Sequence, residues 1–591
     1  MSFTSSTRRE FLKSIGTAAI SAGVFAKCSN IIGENILADR RRPNIILILT
    51  DDQGYGDVGF HGNKIIKTPN LDRLAREGID LTRFYVAPVC SPTRAGIMTG
   101  RYHYRTGVTN VGSCGDRIKA REVTIAQSLF RAGYATAIYG KWHLGDNYPM
   151  RPQDNGFEET IIHKGCCLTP WFRNNPPGEN YFDPYLFHNS EKKKYNGYCM
   201  DVYTDLAIEF AKKNCERDKP FFIYLSTNTP HGPLNVSEKY SGPYKKMGLS
   251  DYELEYYGTI ANIDYNIGRL RSKLKNFGLD DNTLIIFLTD NGASGGNMKG
   301  WPQKLRGRKA SVYEGGIRVP CVFHWPGIFE AGVEMDRIAA YTDLMPTVLD
   351  VAGIAPPEGV KLDGVSLMSV LTDQQATDKE RTIIIQWHQG LNPQLFRSFA
   401  IFNQRFKLVQ AVGGFHNSGK FLTNEYKYEL FDISKDPLEK NDISSEYPEV
   451  VSEMKQQYED WFWDVMKSRG PDPQEIYIGS PHENPTKLMA NASFVEQDEI
   501  PNYITGEWPS RVLRTGKYDV TLFFHKGLKS NGILSFSFRS TNLKEKVKKG
   551  ITQFNFKDVH LEKGSDWLHA GVLTSNTLII PTYIDIKFKE N

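Results

Sequence analysis

The sequence is poor in cysteine, nearly neutral overall, and without a long apolar run beyond its first thirty residues. Its 591 residues include eight cysteines, none in a Cys-x-x-Cys spacing, so a dense disulfide framework is excluded. One or two bridges remain compatible with the sequence, and Cys199 with Cys166 or Cys167 is the candidate pair. The formal net charge of +4 gives no reason to expect a nucleic-acid partner. The 40% hydrophobic and 24% charged fractions are typical of a globular protein, and the length predicts two or more domains.

The first thirty residues resemble an export signal rather than part of a fold. The stretch Thr7–Lys13 (TRREFLK) precedes an apolar stretch, Ser14–Ala26, that is too short to span a bilayer comfortably. The alternative is a basic, disordered N-terminus. Lys27 replaces the small residue expected before a lipidated cysteine, so lipid attachment at Cys28 is not expected. We predict that residues 1–39 are a leader read by the bacterial twin-arginine export machinery, with the protein periplasmic or secreted.

Four continuous apolar runs predict strands that are buried on both faces of a sheet. Helical stretches separate the runs, which indicates an α/β fold with a large, mostly parallel sheet over residues 40–370. One long helix is expected from a capping box at Ser250 and Glu253 to Gly278. The four runs are Asn44–Leu49 (NIILIL), Ala135–Tyr139 (ATAIY), Phe221–Leu225 (FFIYL) and Thr283–Leu288 (TLIIFL).

The chain changes character beyond Pro357. Short β-rich runs, followed by a helix over about 449–467, predict a smaller antiparallel α+β subdomain over 371–470. The residues Gly470–Pro473 (GPDP) begin a polar stretch, and 471–489 is predicted to be a linker. Alternating runs such as Tyr518–Phe524 and Ile584–Phe588 predict a β-sandwich-like accessory domain over 490–591.

Chemically capable side chains follow each of the four predicted strands. In parallel sheets, ligands bind beyond the carboxyl ends of the strands, so we expect these side chains to meet there. A single polar residue after a strand is usually a turn former, but four such groups with these identities indicate a functional site. They are Asp51 and Asp52, Lys141 and His143, His231, and Asp290 and Asn291.

Cys90 lies in the stretch Val86–Tyr102 (VAPVCSPTRAGIMTGRY). A lone thiol is usually a packed core residue, and no base lies next to it in the sequence. Pro92 favours the first turn of a helix, which places Cys90 near the positive end of that helix, where an anion is stabilised. With Arg94 four residues on, the segment resembles the Cys-x-Pro-x-Arg signature of type I sulfatases. In that family the cysteine is oxidised to formylglycine, an aldehyde whose hydrate is the nucleophile.

The resemblance to type I sulfatases, members of the alkaline-phosphatase-like superfamily, extends from Pro43 to about Asp442. It implies an alkaline-phosphatase-like fold and hydrolysis of a sulfate ester through a covalent sulfo-enzyme intermediate. Leu430–Asp432 with Asp436, Pro437 and Glu439 is similar to the family's second subdomain. The remaining pieces, in order, are Thr50–Gly54 (TDDQG), Gly140–His143 (GKWH), Thr229–His231 (TPH), Thr289–Gly292 (TDNG), Leu305–Lys309 (LRGRK) and Glu314–Pro320 (EGGIRVP).

The acidic residues at the strand ends form an all-oxygen donor set, which suits a hard divalent ion such as Ca²⁺ better than zinc. The set is Asp51, Asp52, Asp290 and Asn291. An oxygen of the hydrated formylglycine at Cys90 would complete it. Two adjacent acids alone would be a solvated turn, whereas a second acidic pair from a distant strand favours one Ca²⁺ per subunit.

Cations and proton-transfer groups are needed because negative charge reaches the bridging oxygen as the S–O bond breaks. The resemblance implies that Arg94 and Lys141 hold the oxygens of the hydrate and that Lys309 binds the sulfate. His231 is the candidate general acid for the leaving alcohol, and His143 would deprotonate the second hydroxyl to expel sulfate. A lone histidine is more often structural, and the family pattern reverses that expectation.

The alternatives within the superfamily are an aryl sulfatase and a phosphodiesterase or phosphonate hydrolase, some of which use the same cysteine signature. A catalytically dead carbohydrate-binding protein is the alternative outside enzymes, and the complete polar set argues against it. An exported sulfatase with an appended β domain resembles bacterial enzymes that remove sulfate from polysaccharides. We therefore expect a sulfated poly- or oligosaccharide as substrate, and a formylglycine-generating or anaerobic sulfatase-maturing enzyme as partner.

A long insertion from Lys164 to Tyr198 is expected near the mouth of the site. Its aromatic residues could stack on sugar rings, and its cations, Lys192–Lys194 among them, could meet further sulfates. The alternative is an ordinary packed loop. The aromatic and other notable residues are Cys166, Cys167, Trp171, Phe172, Arg173, Tyr181, Phe182 and Tyr185.

Overall fold

The computed structural model describes residues 42–590, except 113, 169–180, 297, 302–303, 377–379, 414–426, 471–472, 491–505, 526 and 576. The predicted leader, with Cys28, therefore lies outside the described residues, as do Trp171, Phe172 and Arg173 of the insertion. Within the described part of the chain, no helix combines the length and the apolar character needed to cross a membrane.

A ten-stranded sheet forms the centre of the fold, and its inner strands are parallel. All seven residues of strand β1 (Asn44–Thr50) are buried, and its five central residues are apolar because a parallel strand is covered on both faces. In spatial order the strands are β12 (Val333–Met335), β2 (Ile79–Leu81), β11 (Cys321–His324), β9 (Thr283–Thr289), β1 (Asn44–Thr50), β8 (Phe221–Ser226), β4 (Ala135–Lys141), β5 (Glu159–His163), β6 (Tyr185–His188) and β7 (Glu191–Lys194).

Helices pack on the sheet and complete the α/β architecture predicted from the sequence. Ile46 and Ile48 of β1 share one core cluster with Leu71, Tyr203 and Ile267 from three different helices. The predicted capping box is present, since Ser250 Oγ accepts a hydrogen bond from the Glu253 amide. The described helices are α1 (Pro69–Arg76), α2 (Cys90–Thr99), α3 (Ile125–Arg131), α4 (Cys199–Cys215), α5 (Glu238–Ser241), α6 (Asp251–Asn276), α7 (Glu314–Ile317), α8 (Leu344–Val351), α9 (Met368–Thr372) and α10 (Pro448–Arg469).

Two smaller sheets accompany the central sheet, and only the second follows the antiparallel pattern predicted for the middle of the chain. One pairs β10 (Arg318–Val319) and β13 (Ala339–Ala340) with β3 (Phe84–Tyr85), just before Cys90. The other is an antiparallel sheet packed against α10 through Phe399 and Tyr458, whose rings stack with centroids 3.7 Å apart. Its strands are β14 (Ile383–Gln386), β15 (Phe399–Phe402), β16 (Phe406–Gln410) and β17 (Glu429–Asp432).

The C-terminal region contains two further sheets, as the alternating pattern predicts. The first joins β18 (Ile476–Ile478), β20 (Glu507–Val512), β25 (Gly564–Leu573), β22 (Gly532–Phe538) and β23 (Thr541–Val547), with β26 (Leu578–Ile579) on β25. The second joins β19 (Thr486–Met489), β27 (Tyr583–Phe588), β21 (Gly516–Phe523) and β24 (Gln553–Leu561). Alternate residues of β21, including Tyr518, Val520 and Leu522, are buried.

Strands β18 and β19 fall in the segment 471–489, which the sequence predicts to be a linker. β18 pairs in parallel with β20, and β19 pairs antiparallel with β27, so this segment contributes to both C-terminal sheets. Strands of three and four residues are too short to show an alternating pattern, and the turn-forming residues between them dominate the local sequence. Pairing with the C-terminal sheets thus begins at Ile476 and not near residue 490.

Candidate active site

The structure brings together every described residue that the sequence assigns to the site. Strands β9, β1, β8 and β4 are consecutive neighbours, so their carboxyl ends lie along one edge of the sheet. Thr50 is in register with Thr289, and Leu49 with Ser226, so the polar residues that follow these strands begin at the same level. The roles assigned to the individual residues stay predictions.

Cys90 is the first residue of α2 and is 2% exposed. Its Sγ lies 3.4 Å from His143 Nδ1. Burial raises the pKa of the Cys90 thiol, although Lys141 and Lys309 oppose the shift. The unmodified side chain is therefore a neutral thiol, which is a poor nucleophile.

Four buried, oxygen-bearing side chains lie beside Cys90, and we call them the acidic centre: Asp51, Asp52, Asp290 and Asn291. Ligand atoms of Asp51, Asp290 and Cys90 lie within 4.8 Å of one another, as do those of Asp51, Asp52 and His231. Among the described residues, Asp51 Oδ1 and Asn291 Oδ1 have no hydrogen-bond partner although both are buried. Buried oxygens without partners are costly unless something positive binds them. The donor set therefore fits a hard divalent cation.

The pKa shifts within the acidic centre also indicate that it needs a positive charge nearby. Burial, and after it the Asp51 carboxylate, raises the pKa of Asp290 to about 6. Burial also opposes ionisation of Asp52, but Lys309 and His231 outweigh it and hold the pKa of Asp52 well below its usual range. Several carboxylates in one buried space repel each other, which makes the centre dependent on nearby positive charge.

Two residues of the site adopt left-handed backbone conformations that non-glycine residues rarely take. The φ angle is 70° at Asp52 and 58° at His143. Such conformations cost about 1–3 kcal/mol each and persist where the surrounding structure enforces them. At Asp52 the Asp290 carboxylate contributes, since Oδ1 accepts a hydrogen bond of 3.2 Å from the Asp52 amide. The strain aims both side chains into the site.

Three cations each pair with one carboxylate of the acidic centre. Lys141 Nζ lies 2.7 Å from Asp51 Oδ2, and Lys309 Nζ lies 2.6 Å from Asp52 Oδ1. Arg94 donates from Nε and Nη2 to Asp290 Oδ2, at 3.0 and 2.7 Å. Despite burial, the facing carboxylates raise the pKa values of Arg94, Lys141 and Lys309, so all three stay charged.

The two candidate proton-transfer residues lie on either side of this centre. His143 Nε2 lies 3.1 Å from the Val111 carbonyl oxygen, and burial and Lys141 hold its pKa well below the usual value. His231 Nε2 is 3.8 Å from Asp52 Oδ2, and burial lowers the pKa of His231 to about 4 despite that carboxylate. A bound anion would favour the protonated imidazole and raise this pKa.

Three residues that the sequence analysis did not assign complete the surroundings of the site. Ser226 Oγ accepts a hydrogen bond of 2.5 Å from Arg94 Nη1 and donates one of 2.7 Å to the Lys141 carbonyl oxygen. Asp116 Oδ2 lies 3.8 Å from His143 Nε2. His163 is in register with Lys141 on the neighbouring strand and is 1% exposed. Ser226 and His163 are the last residues of their strands, a position from which the sequence could have identified them. Asp116 lies in a loop and has no such pattern around it.

The candidate disulfide is absent from the described residues. None of Cys166, Cys167 and Cys199 takes part in a disulfide, and Cys166 Sγ lies 3.1 Å from Cys167 Sγ. Cys199 begins α4 and is buried in the core beside Tyr181 and Tyr203. It belongs to the hydrophobic core there.

Comparison with known families gives two matches in the same order as the structural regions. The profile described as Sulfatase matches residues 43–354, which contain all the predicted site residues. The profile described as N-sulphoglucosamine sulphohydrolase, C-terminal, matches residues 307–462 and so covers the four-stranded sheet and most of α10. The two C-terminal sheets lie beyond both matches.

Individual proteins show the same similarity. N-acetylgalactosamine-6-sulfatase from Canis lupus familiaris is 32% identical over 365 residues, covering 57% of this chain and 67% of that protein. Steryl-sulfatase from Homo sapiens is 29% identical, covering 68% of this chain and 84% of its own. The crystal structure of Ps i-CgsB, also solved in complex with k-i-k-neocarrahexaose, is 31% identical with a TM-score of 0.64, covering 72% of this chain and 94% of that one.

Proposed function

Because this chain belongs to the sulfatase family and is a hydrolase of sulfate esters, we propose that it removes sulfate from a sulfated carbohydrate through a formylglycine at position 90. The observation that carries the proposal is the convergence of Cys90, two buried cations, the partly exposed Lys309 and two histidines on one acidic centre. A sulfate ester is an anion, and its bridging oxygen gains negative charge during cleavage. The cations of the site would stabilise that charge, and a histidine would supply a proton to the leaving oxygen.

The proposed nucleophile is one hydroxyl of the hydrated aldehyde that replaces the Cys90 thiol. It attacks the sulfur atom as its proton passes to Asp51 or Asp290, whose ligand atoms lie within 4.8 Å of Cys90 Sγ. The ester S–O bond breaks, and the leaving alcohol takes a proton from His231. His143, 3.4 Å from the present Sγ, then accepts the proton of the second hydroxyl. The C–O bond to sulfate breaks as the aldehyde re-forms, and sulfate leaves. A water molecule adds to the aldehyde and restores the hydrate, while the two protons accepted during the cycle return to His231 and to solvent. A thiol has no second hydroxyl and could not complete this cycle.

The cations of the site would orient the two reactants. The Arg94 and Lys141 side chains are fully buried, and each pairs with a carboxylate of the acidic centre. They are placed to hold the hydrate oxygens. Lys309 is 16% exposed and lies closer to the opening, on the side of Asp52 and His231, so it is placed to bind the incoming sulfate. Uniform positive charge around the transferred group lowers the barrier to its transfer.

Asp51, Asp52, Asp290 and Asn291 would hold one Ca²⁺. The two buried oxygens without a partner among the described residues, Asp51 Oδ1 and Asn291 Oδ1, support this assignment. Hard cations with six to eight oxygen ligands match a carboxylate and amide donor set. When bound, the ion would act as a Lewis acid that stabilises negative charge at position 90.

The carbohydrate substrate is supported by the relatives. N-acetylgalactosamine-6-sulfatase names a sugar sulfate as its substrate, and Ps i-CgsB was crystallised with a hexasaccharide. Steryl-sulfatase names a different alcohol, so the family alone does not choose between the two classes. The complex of Ps i-CgsB with k-i-k-neocarrahexaose, in a structure 31% identical to this chain, supports a carbohydrate over an aryl or steryl ester.

Activity on a panel of esters tests the proposal. Wild-type protein from a host with a sulfatase-maturing enzyme should release sulfate from at least one sulfated sugar, and the matching phosphorylated sugar should be turned over at least about a hundredfold more slowly. Cys90→Ala should be folded and inactive, whereas Cys215→Ala, a change at a distant half-buried cysteine, should retain activity. Faster turnover of the phosphate ester, or activity in Cys90→Ala, would refute the proposal.

We further propose that the protein acts outside the cytoplasm. The twin-arginine stretch Thr7–Lys13 supports this proposal, and folded-state export would require conversion of Cys90 before transport. Replacing Arg8 and Arg9 together with lysine should retain the protein in the cytoplasm of its bacterial host. Unchanged recovery of that variant from the periplasm or medium would contradict the proposal.

A further inference from the structure

A cluster of four lysines lies beside the candidate active site, where the edge of the central sheet meets the C-terminal sheets. We call it the lysine surface, and its members are Lys164, Lys192, Lys194 and Lys487. Two are exposed and two are half-buried. The residue that begins it, Lys164, directly follows His163, which is in register with Lys141 of the site. The surface is therefore continuous with the carboxyl edge of the sheet.

Strand register places three of these lysines on one face. Phe187 of β6 lies opposite Ile162 of β5 and Lys192 of β7, and Tyr185 lies opposite Lys194. Lys192 and Lys194 therefore share a face, and Lys193 between them points the other way, where it pairs with Glu191 at 3.0 Å. Lys164 reaches the same face, since its Nζ lies 5.1 Å from the Phe187 ring centroid.

Aromatic rings hold the ammonium groups in place. Lys192 Nζ and Lys194 Nζ lie 4.7 and 5.9 Å from the Tyr185 ring centroid. From the C-terminal sheet, Lys487 Nζ lies 3.7 Å from the Tyr583 ring centroid. A lysine resting on an aromatic face keeps its charge while losing part of its mobility, so less entropy is lost when it binds an anion.

The C-terminal strand that carries Lys487 is attached directly to the loop after His143. Asn147 Nδ2 donates to the Lys487 carbonyl oxygen at 2.9 Å, and Lys164 Nζ donates to the Asp146 carbonyl oxygen at 3.3 Å. Burial lowers the pKa of Lys487, and its ion pair with Asp585 opposes that shift. The charges of Lys164 and Lys192 lower the pKa of Lys487 further, so both lysines lie near it. The two parts of the surface therefore face each other.

Few negative charges offset the lysines. Among the described residues, no carboxylate lies within 4.0 Å of the ammonium groups of Lys164, Lys192 or Lys194, and Lys487 pairs with Asp585. Two further carboxylates, Asp146 and Glu483, are engaged by the backbone amides of Gly165 and Tyr148 at 3.1 and 2.9 Å. Burial raises the pKa of both carboxyl groups, and the nearby charge of Lys164 opposes that shift.

We propose that the lysine surface binds a second sulfate group of the same polysaccharide chain whose first sulfate occupies the active site. This inference rests on the proposed function and extends it to a multiply sulfated substrate. Neighbouring strands lie about 4.8 Å apart, so three strand spacings, about 14 Å, separate Lys141 on β4 from Lys194 on β7. An oligosaccharide of a few units spans that distance.

Kinetics on two substrates test the proposal. The double variant Lys192→Gln/Lys487→Gln removes two charges and keeps a polar side chain that is one atom shorter. The control Lys546→Gln/Lys548→Gln makes the same change at exposed positions in the C-terminal region. For a multiply sulfated oligosaccharide, the first variant should raise KM about tenfold with little change in kcat, and the control variant should not. Both variants should match wild type on the monosulfated sugar. An equal KM on the oligosaccharide, or an equal rise on both substrates, would overturn the proposal.

A binding measurement separates this proposal from the proposed function, because it requires no turnover. In native gels that contain dextran sulfate, Cys90→Ala protein should be retarded relative to gels with neutral dextran. Adding Lys192→Gln/Lys487→Gln should remove most of that retardation, and adding the control pair should not. Retardation that survives the first pair overturns the lysine surface. Loss of retardation in a protein whose wild type releases no sulfate would support the surface and refute the proposed function.

Discussion

At the scale of single residues, the site is a set of paired charges. Lys141, Arg94 and Lys309 each lie within 2.7 Å of a carboxylate oxygen from Asp51, Asp290 or Asp52. A buried pair is weakly stabilising by itself, whereas an uncompensated buried charge is costly. A divalent ion among the carboxylates would compensate them and leave the cations available to an anionic substrate.

Metal removal is the prediction that follows. Incubation with a chelator such as EGTA should lower activity by at least about tenfold and lower the melting temperature, because an ion that binds only the folded state stabilises it. Added Ca²⁺ should restore both. Asp290→Asn should reduce the gain in activity and melting temperature that added Ca²⁺ produces. Asp350→Asn, at an exposed carboxylate, should leave that gain unchanged. Full activity with no detectable metal after chelation would contradict the assignment.

A second residue-scale prediction concerns pH and a histidine outside the site. His388 Nδ1 donates to the Gln389 carbonyl oxygen at 2.9 Å, and its Nε2 accepts the Gln394 amide at 3.0 Å, which requires the neutral ring. Burial, with Arg397, lowers the pKa of His388 to about 3. Between that value and about 6.5 the unfolded chain binds the extra proton, so stability falls as pH falls.

At pH 5 the His388 contribution lowers the free energy of unfolding by up to about 2 kcal/mol relative to pH 7.5. Urea denaturation at the two pH values should show a smaller loss for His388→Gln than for wild type. His560→Gln, at an exposed histidine, should behave as wild type. Identical pH dependence in His388→Gln and wild type would show that this ring titrates normally.

At the scale of elements, the helices that support the central sheet begin with different degrees of local stabilisation. Ser250 caps α6 in a reciprocal box, in which its Oγ accepts the Glu253 amide and the Glu253 carboxylate accepts the Ser250 amide at 2.9 Å. Ser237 occupies the same position before α5 but makes no side-chain capping bond. The two serines are a matched pair for measuring the cap.

Replacing Ser250 with alanine should cost about 1 kcal/mol of stability, since it leaves amides of the first turn without a partner. Ser237→Ala should cost a few tenths at most. Chemical denaturation of both variants at one pH gives the comparison, and activity should not change in either. A loss in Ser237→Ala as large as that in Ser250→Ala would mean that the capping bond is not the source of the effect.

Sequence predicts an element where the physical signal is local and long enough to see. The apolar runs from Asn44 and Thr283 became β1 and β9, because strands buried on both faces must be apolar throughout. Strands β18 and β19 escaped prediction, since their stability comes from partners more than 30 residues and almost 100 residues away. The same holds for Asp116, whose approach to His143 depends on two loops meeting.

At the scale of the whole molecule, the C-terminal sheets contact the active-site region directly. The Glu483 carboxylate accepts the Tyr148 amide at 2.9 Å and the Asn147 side chain at 3.2 Å, and both belong to the loop after His143. The Tyr148 and His482 rings stack with centroids 4.8 Å apart. This loop is therefore supported by a part of the chain outside both family matches.

Glu483→Ala should lower kcat severalfold and reduce the melting temperature, because the Tyr148 amide and Asn147 side chain lose a buried acceptor. Glu545→Ala, at an exposed position of β23, is the matched control and should change neither. Deletion of residues 471–591 should lower kcat and the melting temperature more than Glu483→Ala does. A fully active, stable deletion protein would show that the C-terminal sheets do not support the site.

The central claim, that residue 90 becomes an aldehyde on which sulfate transfer depends, is tested most directly by mass spectrometry of one peptide. Active protein from its native host is digested, and the fragment containing Cys90 is analysed beside the same fragment from protein made without a maturing enzyme. The account predicts formylglycine at position 90 in the active sample and cysteine in the inactive one, with specific activity proportional to the converted fraction. An unmodified thiol in fully active protein would contradict it.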